Sequence, residues 1–222
     1  AVEANINDAA KLDLQKLLTS AFYPGDETLE KHVAKETYEL LKKETAPLGM
    51  PVELIRKQKP WFLAMTLESI ELMKLGFNPQ YGIDNHFLKK AAGKKKIMEL
   101  ESLDYQINLL SGFSDEEQEL FLLHTLKDLK ILKQETGKLL QAWLTGDAKG
   151  IEAIASRVNG DRRLARIYEK LYYERNAAMT SKIEEFLKTK ETYFVVIGAG
   201  HLVGNKGIIE LLKRKGYLVE QI

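Results

Sequence analysis

The residues with the clearest chemical potential in this sequence are one histidine and two glutamates. His201 follows the uninterrupted apolar run of residues 193–197 and lies in a glycine-rich turn. Glu101 follows the largely apolar segment 97–100, and Glu3 follows the short apolar start of the chain. An imidazole and two carboxylates form a suitable ligand set for zinc, manganese or cobalt. Such an ion lowers the pKa of a bound water molecule and so produces a nucleophile.

These three side chains meet if the segments before them are parallel strands of one sheet. In open α/β sheets, ligands bind at the carboxyl ends of the strands. The opposing interpretation stays open at this point, because acids at strand ends are common in solvated loops. The other histidines, His32, His86 and His124, do not form a pair with the spacing of a metal-binding motif.

The glycines around His201 allow three interpretations. Gly198, Gly200 and Gly204 approach a dinucleotide-binding fingerprint, with Glu220 near the place of its ribose-binding acid, but the third glycine comes one residue late. A phosphate-binding loop fits less well, because the segment around Gly204 lacks the G-K-[ST] ending. A plain structural turn with an outward-pointing histidine is the third interpretation.

The apolar patterns predict an α/β fold. A run without alternation is typical of a strand buried on both faces of a sheet, as in residues 193–197. We expect Asn205 to cap a helix that ends at Gly216, with a second strand at residues 217–219. The prediction is a small, mainly parallel central sheet formed by about residues 1–5, 94–101 and 193–222, with 193–197 as its central strand and 95–100 beside it.

The middle of the chain predicts helices alone, so we expect a large all-helical insertion at about residues 103–190 in a single domain of residues 1–222. Ser114 and Glu117 have the spacing of a capping box, and the helix after them is predicted to run to about Leu144. Asp161 is predicted to cap a helix of about 27 residues without internal glycine or proline. Arg175 falls in this helix, where an arginine is usually exposed.

Composition excludes several classes of protein. The chain has 222 residues, a net charge of +1 and no cysteine. The charge gives no argument for a nucleic-acid or anionic-membrane partner, and the absence of cysteine excludes a disulfide scaffold and thiolate-bound metals. No apolar stretch reaches the length of a membrane span. The chain begins at Ala1 without a methionine or a signal peptide, from which we expect a processed or trimmed chain.

An ordered set of short motifs along nearly the whole chain resembles the TraB/PrgY/GumN family, which includes the Tiki metalloproteases. That family carries a G-x-x-H motif in the place of Gly198 to His201. The residues that carry the likeness are Gly82, Ile83, Asp84, residues 96–102, Gln106, Trp143, Gly146, Asp147, Arg175, Asn176, Met179, Gly198, Gly200, His201, Leu202, Gly204, Gly216 and Tyr217. Each motif is weak alone, and the order makes the set specific.

The resemblance implies metal-dependent peptide hydrolysis, with a divalent ion of manganese, cobalt or zinc and a peptide or small protein as substrate. His201 and Glu3 would be metal ligands, Glu101 a catalytic residue, and Arg175 a stabiliser of the transition state. It also implies an extracytoplasmic protein. Further motif positions are Gly198, Gly200, Gly204, Asn176, Gln106 and Asp84.

A second hypothesis is a non-catalytic protein that sequesters a peptide in the same cleft, as PrgY-like members are thought to do with pheromones. In the resembled family, a first G-x-x-H motif precedes the place of Ala1, and this sequence contains a single such motif. We therefore expect this chain to bind divalent metal weakly and to hydrolyse nothing. An unpaired edge of the predicted sheet leads us to expect a homodimer.

Overall fold

Helices dominate the computed structural model, which describes residues 1–4, 14–156 and 162–222. None of its described helices is long and apolar enough to cross a membrane. The α-helices are α1 (Leu14–Ala21), α2 (Lys35–Thr45), α3 (Val52–Ile55), α4 (Pro60–Lys74), α5 (Ile83–Ala91), α6 (Leu103–Ser111), α7 (Asp115–Asp128), α8 (Leu132–Thr145), α9 (Ala148–Ala155), α10 (Arg162–Tyr168), α11 (Arg175–Leu187), α12 (Ala199–Leu202) and α13 (Ile208–Arg214). Short 3₁₀ helices lie at Leu29–Lys31, Ala46–Leu48 and Pro79–Tyr81, and a π-helical segment lies at Glu169–Glu174.

The chain divides into two compact units. The first unit contains residues 1–9, 79–103 and 135–222, and the second contains residues 10–78 and 104–134. The predicted single domain stays a prediction, because this division does not test it.

The second unit has a helical core in which α4 packs against α7. Apolar residues of α4 recur at helical spacing, and Leu63, Ala64 and Leu67 are fully buried. Leu122 and Leu126 on α7 are also fully buried and belong to the same core cluster. This interior gives the second unit an apolar core of its own.

The capping box predicted at the start of α7 is confirmed. The Ser114 side chain accepts a hydrogen bond from the Glu117 backbone N–H (3.2 Å), and the Glu117 carboxylate accepts from the Ser114 N–H (3.0 Å). The helix after it ends at Asp128 rather than near Leu144, and α8 follows as a separate helix. The predicted cap at Asn205 is wrong, because Gly207 precedes α13 and no side chain caps it.

The core of the first unit forms around one long helical stretch. The helix predicted after Asp161 is confirmed over residues 162–187, where α10, the π-helical segment and α11 follow without a break; Asp161 itself lies outside the described residues. Met179, Ile183 and Phe186 of α11 are buried at helical spacing. They pack in one cluster with Leu100 of the 97–101 segment and with Ile208 and Leu212 of α13.

The predicted α/β fold with a central parallel sheet is wrong, because the described residues contain no strand. Val2 forms isolated parallel bridges with Glu99 on one side and with Val196 on the other. The Leu100 N–H donates to the Val2 carbonyl (2.9 Å), and the Val196 N–H donates to the Ala1 carbonyl (2.9 Å). The start of the chain therefore pairs with both neighbouring segments, through a single bridge on each side.

The physical reason is that an apolar run predicts burial, and helices can supply that burial as well as a sheet can. Tyr193, Val195 and Ile197 pack against the cluster of α11 and α13. Residues 217–219 form neither a strand nor a bridge, although they were predicted to form a second strand. The homodimer stays a prediction, and the strand edge that suggested it is absent from the described parts of the chain.

The Ser114 capping box gives a direct test of local stability. We expect Ser114→Ala to lower the free energy of unfolding by about 1 kcal/mol, because it removes an N-cap hydrogen bond from α7. Urea unfolding followed by circular dichroism measures this difference. A matched control is Ser69→Ala, since the Ser69 hydroxyl bonds only the Met65 carbonyl within its own helix. Equal losses in both variants would show that the cap contributes nothing particular.

Candidate functional site

The centre of the candidate site is Arg175, whose guanidinium joins two glutamates. Its Nε donates to both carboxylate oxygens of Glu101 (3.1 and 3.0 Å), and its Nη2 donates to Glu101 Oε2 (2.7 Å). Nη2 also donates to Glu3 Oε1. Nη1 donates to the carbonyl of Leu171 one turn back in the helix (3.0 Å). The planar fork of an arginine suits such a bidentate contact.

Backbone pairing sets the two glutamates side by side. The Glu101 N–H donates to the Glu3 carbonyl (2.8 Å), next to the bridge between Val2 and Glu99. The second Glu3 oxygen, Oε2, accepts from the Gly198 N–H (3.3 Å). A Cβ atom at position 198 would lie 3.7 Å from Glu3 Oε2 and 3.6 Å from the His201 ring, so the backbone here approaches both groups closely.

The charges of this cluster are largely removed from water. The exposed fraction of the side chain is 11% for Arg175, 4% for Glu101 and 22% for Glu3. Burial lowers the pKa of Arg175, but hydrogen bonds and charge from Glu101, with Glu3, outweigh burial and leave that pKa raised. Arg175 thus supplies a cation to two carboxylates that are largely removed from water.

His201 lies beside the carboxylates and is 6% exposed. Its Nδ1 is 2.6 Å from Asn176 Oδ1, and its Nε2 is 3.9 Å from Glu3 Oε1. Burial lowers the pKa of His201, Glu3 and Glu101 act in the opposite direction, and Arg175 adds to the lowering. The ring of Tyr172 lies next to the imidazole, with 5.1 Å between centroids. Burial thus favours the neutral form of the His201 imidazole.

The structure thus brings together Glu3, Glu101, Arg175 and His201, with Asn176 in contact with His201. Gly204 has φ +83°, a conformation that favours glycine. The remaining predicted positions are Gly200, where an added Cβ would meet Tyr172 at 3.4 Å, Asp84 on α5 of the first unit, and Gln106 on α6 in the second unit. The roles predicted for all these residues stay predictions.

Sequence reasoning missed two parts of the site. The first is Tyr172, whose ring stacks on Tyr168 at 5.3 Å and reaches His201. The second is the backbone of Lys206, whose carbonyl accepts from Asn176 Nδ2 at 2.8 Å. A backbone carbonyl leaves no signal in side-chain types. Tyr172 had one signal, its position three residues before Arg175, which puts it near the same face of the helix.

The π-helical segment Glu169–Glu174 ends directly before Arg175. Such a segment carries one more residue per turn than an α-helix and is frequent at functional sites. It changes the direction of the side chains that follow it relative to those of α10. The placement of Tyr172, Arg175 and Asn176 therefore depends on this local irregularity.

The donor set fits part of a metal site. The described residues contain no group of three histidine, cysteine, aspartate or glutamate side chains placed to hold a metal. His201 Nε2 and Glu3 Oε1 face each other at 3.9 Å and supply two of the four ligands typical of zinc. Glu101 has both oxygens bonded to Arg175. His201 and Glu3 are thus the residues that would hold an ion.

Comparison with known proteins shows the family of this chain. The profile of the TraB/PrgY/gumN family matches residues 1–221. The chain belongs to the TraB/PrgY/gumN family. No solved structure matches the chain.

Similar TraB/PrgY/gumN relatives differ in how much of this chain they cover. An uncharacterized protein YbaP of Escherichia coli (strain K12) is 26% identical over 194 residues, which is 86% of this chain and 70% of the relative. An uncharacterized protein of Treponema pallidum is 22% identical over 84% of this chain and 58% of its own length. Metalloprotease TIKI1 of Danio rerio is 40% identical over 52 residues, 22% of this chain and 10% of the relative.

Removal of the central cation is expected to destabilise the protein. Arg175→Met removes the guanidinium that bonds two carboxylates in a mostly buried place, which we expect to lower the free energy of unfolding by about 3 to 5 kcal/mol at pH 7. Urea unfolding at pH 7 measures this loss.

The control for that experiment is Arg214→Met. Arg214 makes an exposed pair with Glu210 in the same helix, and such pairs contribute about 0.3 to 0.5 kcal/mol. Arg175→Lys keeps the charge and loses the fork, so it should fall between the wild type and Arg175→Met. A loss for Arg175→Met no larger than that for Arg214→Met would contradict the proposed importance of the cluster.

Burial of His201 predicts a specific pH dependence. The unfolded chain binds a proton at His201 near pH 6.5, and the folded chain binds it only at lower pH. Stability is therefore full above the unfolded pKa and falls as the pH drops below about 6.5 towards the lowered folded pKa, by at most about 1.4 kcal/mol per pH unit. Urea unfolding with EDTA between pH 8 and 5 should show a weaker decline in His201→Gln. His124→Gln retains His201 and should keep the wild-type decline.

Proposed function

We propose that this protein is a metal-dependent peptide hydrolase. The observation that carries the proposal is the Glu3–Arg175–Glu101 cluster beside the imidazole of His201. Support also comes from the partial likeness to proteins named metalloproteases TIKI1 and TIKI2. Those matches cover about a tenth of each relative's length. They therefore do not show that this chain has the activity of the relatives.

His201 and Glu3 are the residues that would hold the ion. Nε2 of the imidazole and Oε1 of the carboxylate lie 3.9 Å apart, and imidazole and carboxylate are both zinc ligands. A divalent ion there supplies a water molecule of lowered pKa and polarises the peptide carbonyl. Manganese, cobalt and zinc all accept imidazole and carboxylate ligands.

Glu101 would accept a proton during hydrolysis, and Arg175 would stabilise the negative charge that develops. The attacking water loses a proton to a base, and the proton returns to the leaving nitrogen as the C–N bond breaks. Glu101 can serve as that base once it gives up one hydrogen bond from Arg175. One N–H of Arg175 Nη1 bonds the Leu171 carbonyl, and its other N–H has no partner among the described residues. That free donor suits the developing oxyanion.

A second candidate function is the binding of a peptide without cleavage. The observation that favours it is that Arg175 pairs with both glutamates. An ion that draws Glu3 towards His201 must compete with the guanidinium for Glu3 Oε1. A binder would use the same group of residues and need no such exchange.

Calorimetric titration of manganese, cobalt and zinc tests the metal site. We expect saturable binding of one ion per chain, weak because two ligands of the chain are in place, and lost in His201→Ala. The matched control is His124→Ala, which removes a histidine that pairs with Asp128 on α7 and should retain binding. Equal binding by the wild type and His201→Ala would remove the metal proposal.

A peptide assay separates hydrolysis from binding. The chain is incubated with a mixture of unstructured peptides, and products are identified by mass spectrometry with and without EDTA. A hydrolase gives fragments that disappear with EDTA and with His201→Ala, and such fragments would contradict the expectation from the single G-x-x-H motif that this chain hydrolyses nothing. Retention of intact peptides on the immobilised chain, unaffected by EDTA, would instead favour the sequestering function.

A further inference from the structure

We propose that Asn176 is a positioning residue that holds His201 as the tautomer with its proton on Nδ1 and its lone pair on Nε2. The inference rests on the proposed function, because it explains why Nε2, the His201 atom proposed to bind the ion, carries a lone pair. Asn176 is 1% exposed and His201 6% exposed, so water does not compete for their contact. The 2.6 Å distance between His201 Nδ1 and Asn176 Oδ1 is that of a short hydrogen bond.

The orientation of the Asn176 amide follows from its second contact. Its Nδ2 donates to the backbone carbonyl of Lys206 at 2.8 Å. If the amide were turned over, its oxygen would face that carbonyl oxygen, and two acceptors would lie in contact. A carbonyl can only accept, so Nδ2 must face Lys206 and Oδ1 must face His201. The direction of the amide is thus fixed by the main chain.

The amide in turn fixes the imidazole. Oδ1 can only accept a hydrogen bond, so His201 Nδ1 must carry the hydrogen. A neutral imidazole then has its lone pair on Nε2, at 3.9 Å from Glu3 Oε1. Two acceptor atoms face each other across this gap, an arrangement that improves when a cation or a hydrogen-bond donor lies between them. Fixing a ring through its other nitrogen is the general means by which proteins orient histidine ligands.

The loop that supplies the Lys206 carbonyl is itself attached to the same helical stretch. The Lys206 ammonium pairs with both oxygens of Glu169 (3.0 and 2.8 Å) and lies over the ring of Tyr173, 4.4 Å from its centroid. Lys206 thus reaches the π-helical segment with its side chain and Asn176 with its carbonyl. This double attachment keeps the carbonyl at its distance from Asn176.

Nitrogen-15 NMR of the metal-free chain tests the tautomer directly, because protonated and unprotonated ring nitrogens differ widely in chemical shift. The four histidines of the chain are assigned with the aid of His201→Gln. We expect the wild type to show a protonated Nδ1 at His201. In Asn176→Leu the acceptor is gone, and we expect the proton to move largely to Nε2, where it can face Glu3.

One further variant keeps the test specific. Thr180→Val removes another buried hydrogen bond of the same helix, from the Thr180 hydroxyl to the Asn176 carbonyl at 2.6 Å, and should leave the His201 tautomer unchanged. If Asn176→Leu does not fold, the protonation of Nδ1 in the wild type tests the inference by itself. A wild type protonated on Nε2, an unchanged tautomer in Asn176→Leu, or a shift of equal size in Thr180→Val would each overturn the inference.

Metal titration distinguishes this inference from the proposed function. If both are right, Asn176→Leu should weaken zinc binding by about 10- to 100-fold, while Thr180→Val should not. If the tautomer shifts as expected and the wild type binds no zinc, the positioning role stands and the metal proposal fails. If zinc binds and Asn176→Leu leaves both tautomer and affinity unchanged, the metal proposal stands and the positioning role fails.

Discussion

The contact on which the rest of the site depends is the bridge that Arg175 makes between Glu3 and Glu101. Two carboxylates placed side by side in a mostly buried position repel each other, and the guanidinium removes most of that cost through charge-assisted hydrogen bonds. It also ties together three distant parts of the chain, the start, the 97–101 segment and α11. The cluster therefore holds segments of the first unit together and also forms the candidate site.

Adjacent residues at the start of α11 make two different contacts in the site. Arg175 bonds the carboxylates, and Asn176 contacts His201. Neighbouring residues of a helix point about 100° apart, so the two side chains reach different parts of the site. The short helix α12 carries His201 to its contact with Asn176. Directly before this helix, the Gly198 N–H donates to Glu3.

The sequence predicted the members of the site better than it predicted the fold that presents them. Glu3, Glu101 and His201 were identified because each follows an apolar run, and those runs do lie next to one another through Val2. The sheet was wrong, because an apolar pattern reports burial and does not say whether a strand or a helix covers the run. Arg175 and Asn176 came from resemblance to the family, since nothing in helical periodicity distinguishes a buried arginine from an exposed one. The Lys206 carbonyl could not be predicted, because main-chain acceptors are the same at every residue.

In the proposed function, a metal ion would compete with Arg175 for one oxygen of Glu3. Both are cations, and that oxygen bonds Arg175 and lies 3.9 Å from His201 Nε2. An ion would gain the lone pair of His201, which a guanidinium cannot use because it carries no acceptor and only donates. Arg175, in turn, keeps both oxygens of Glu101 even if it loses Glu3. Transfer of Glu3 from Arg175 to an ion would therefore leave each carboxylate paired with a cation, so the structure can hold the cluster together with or without the metal.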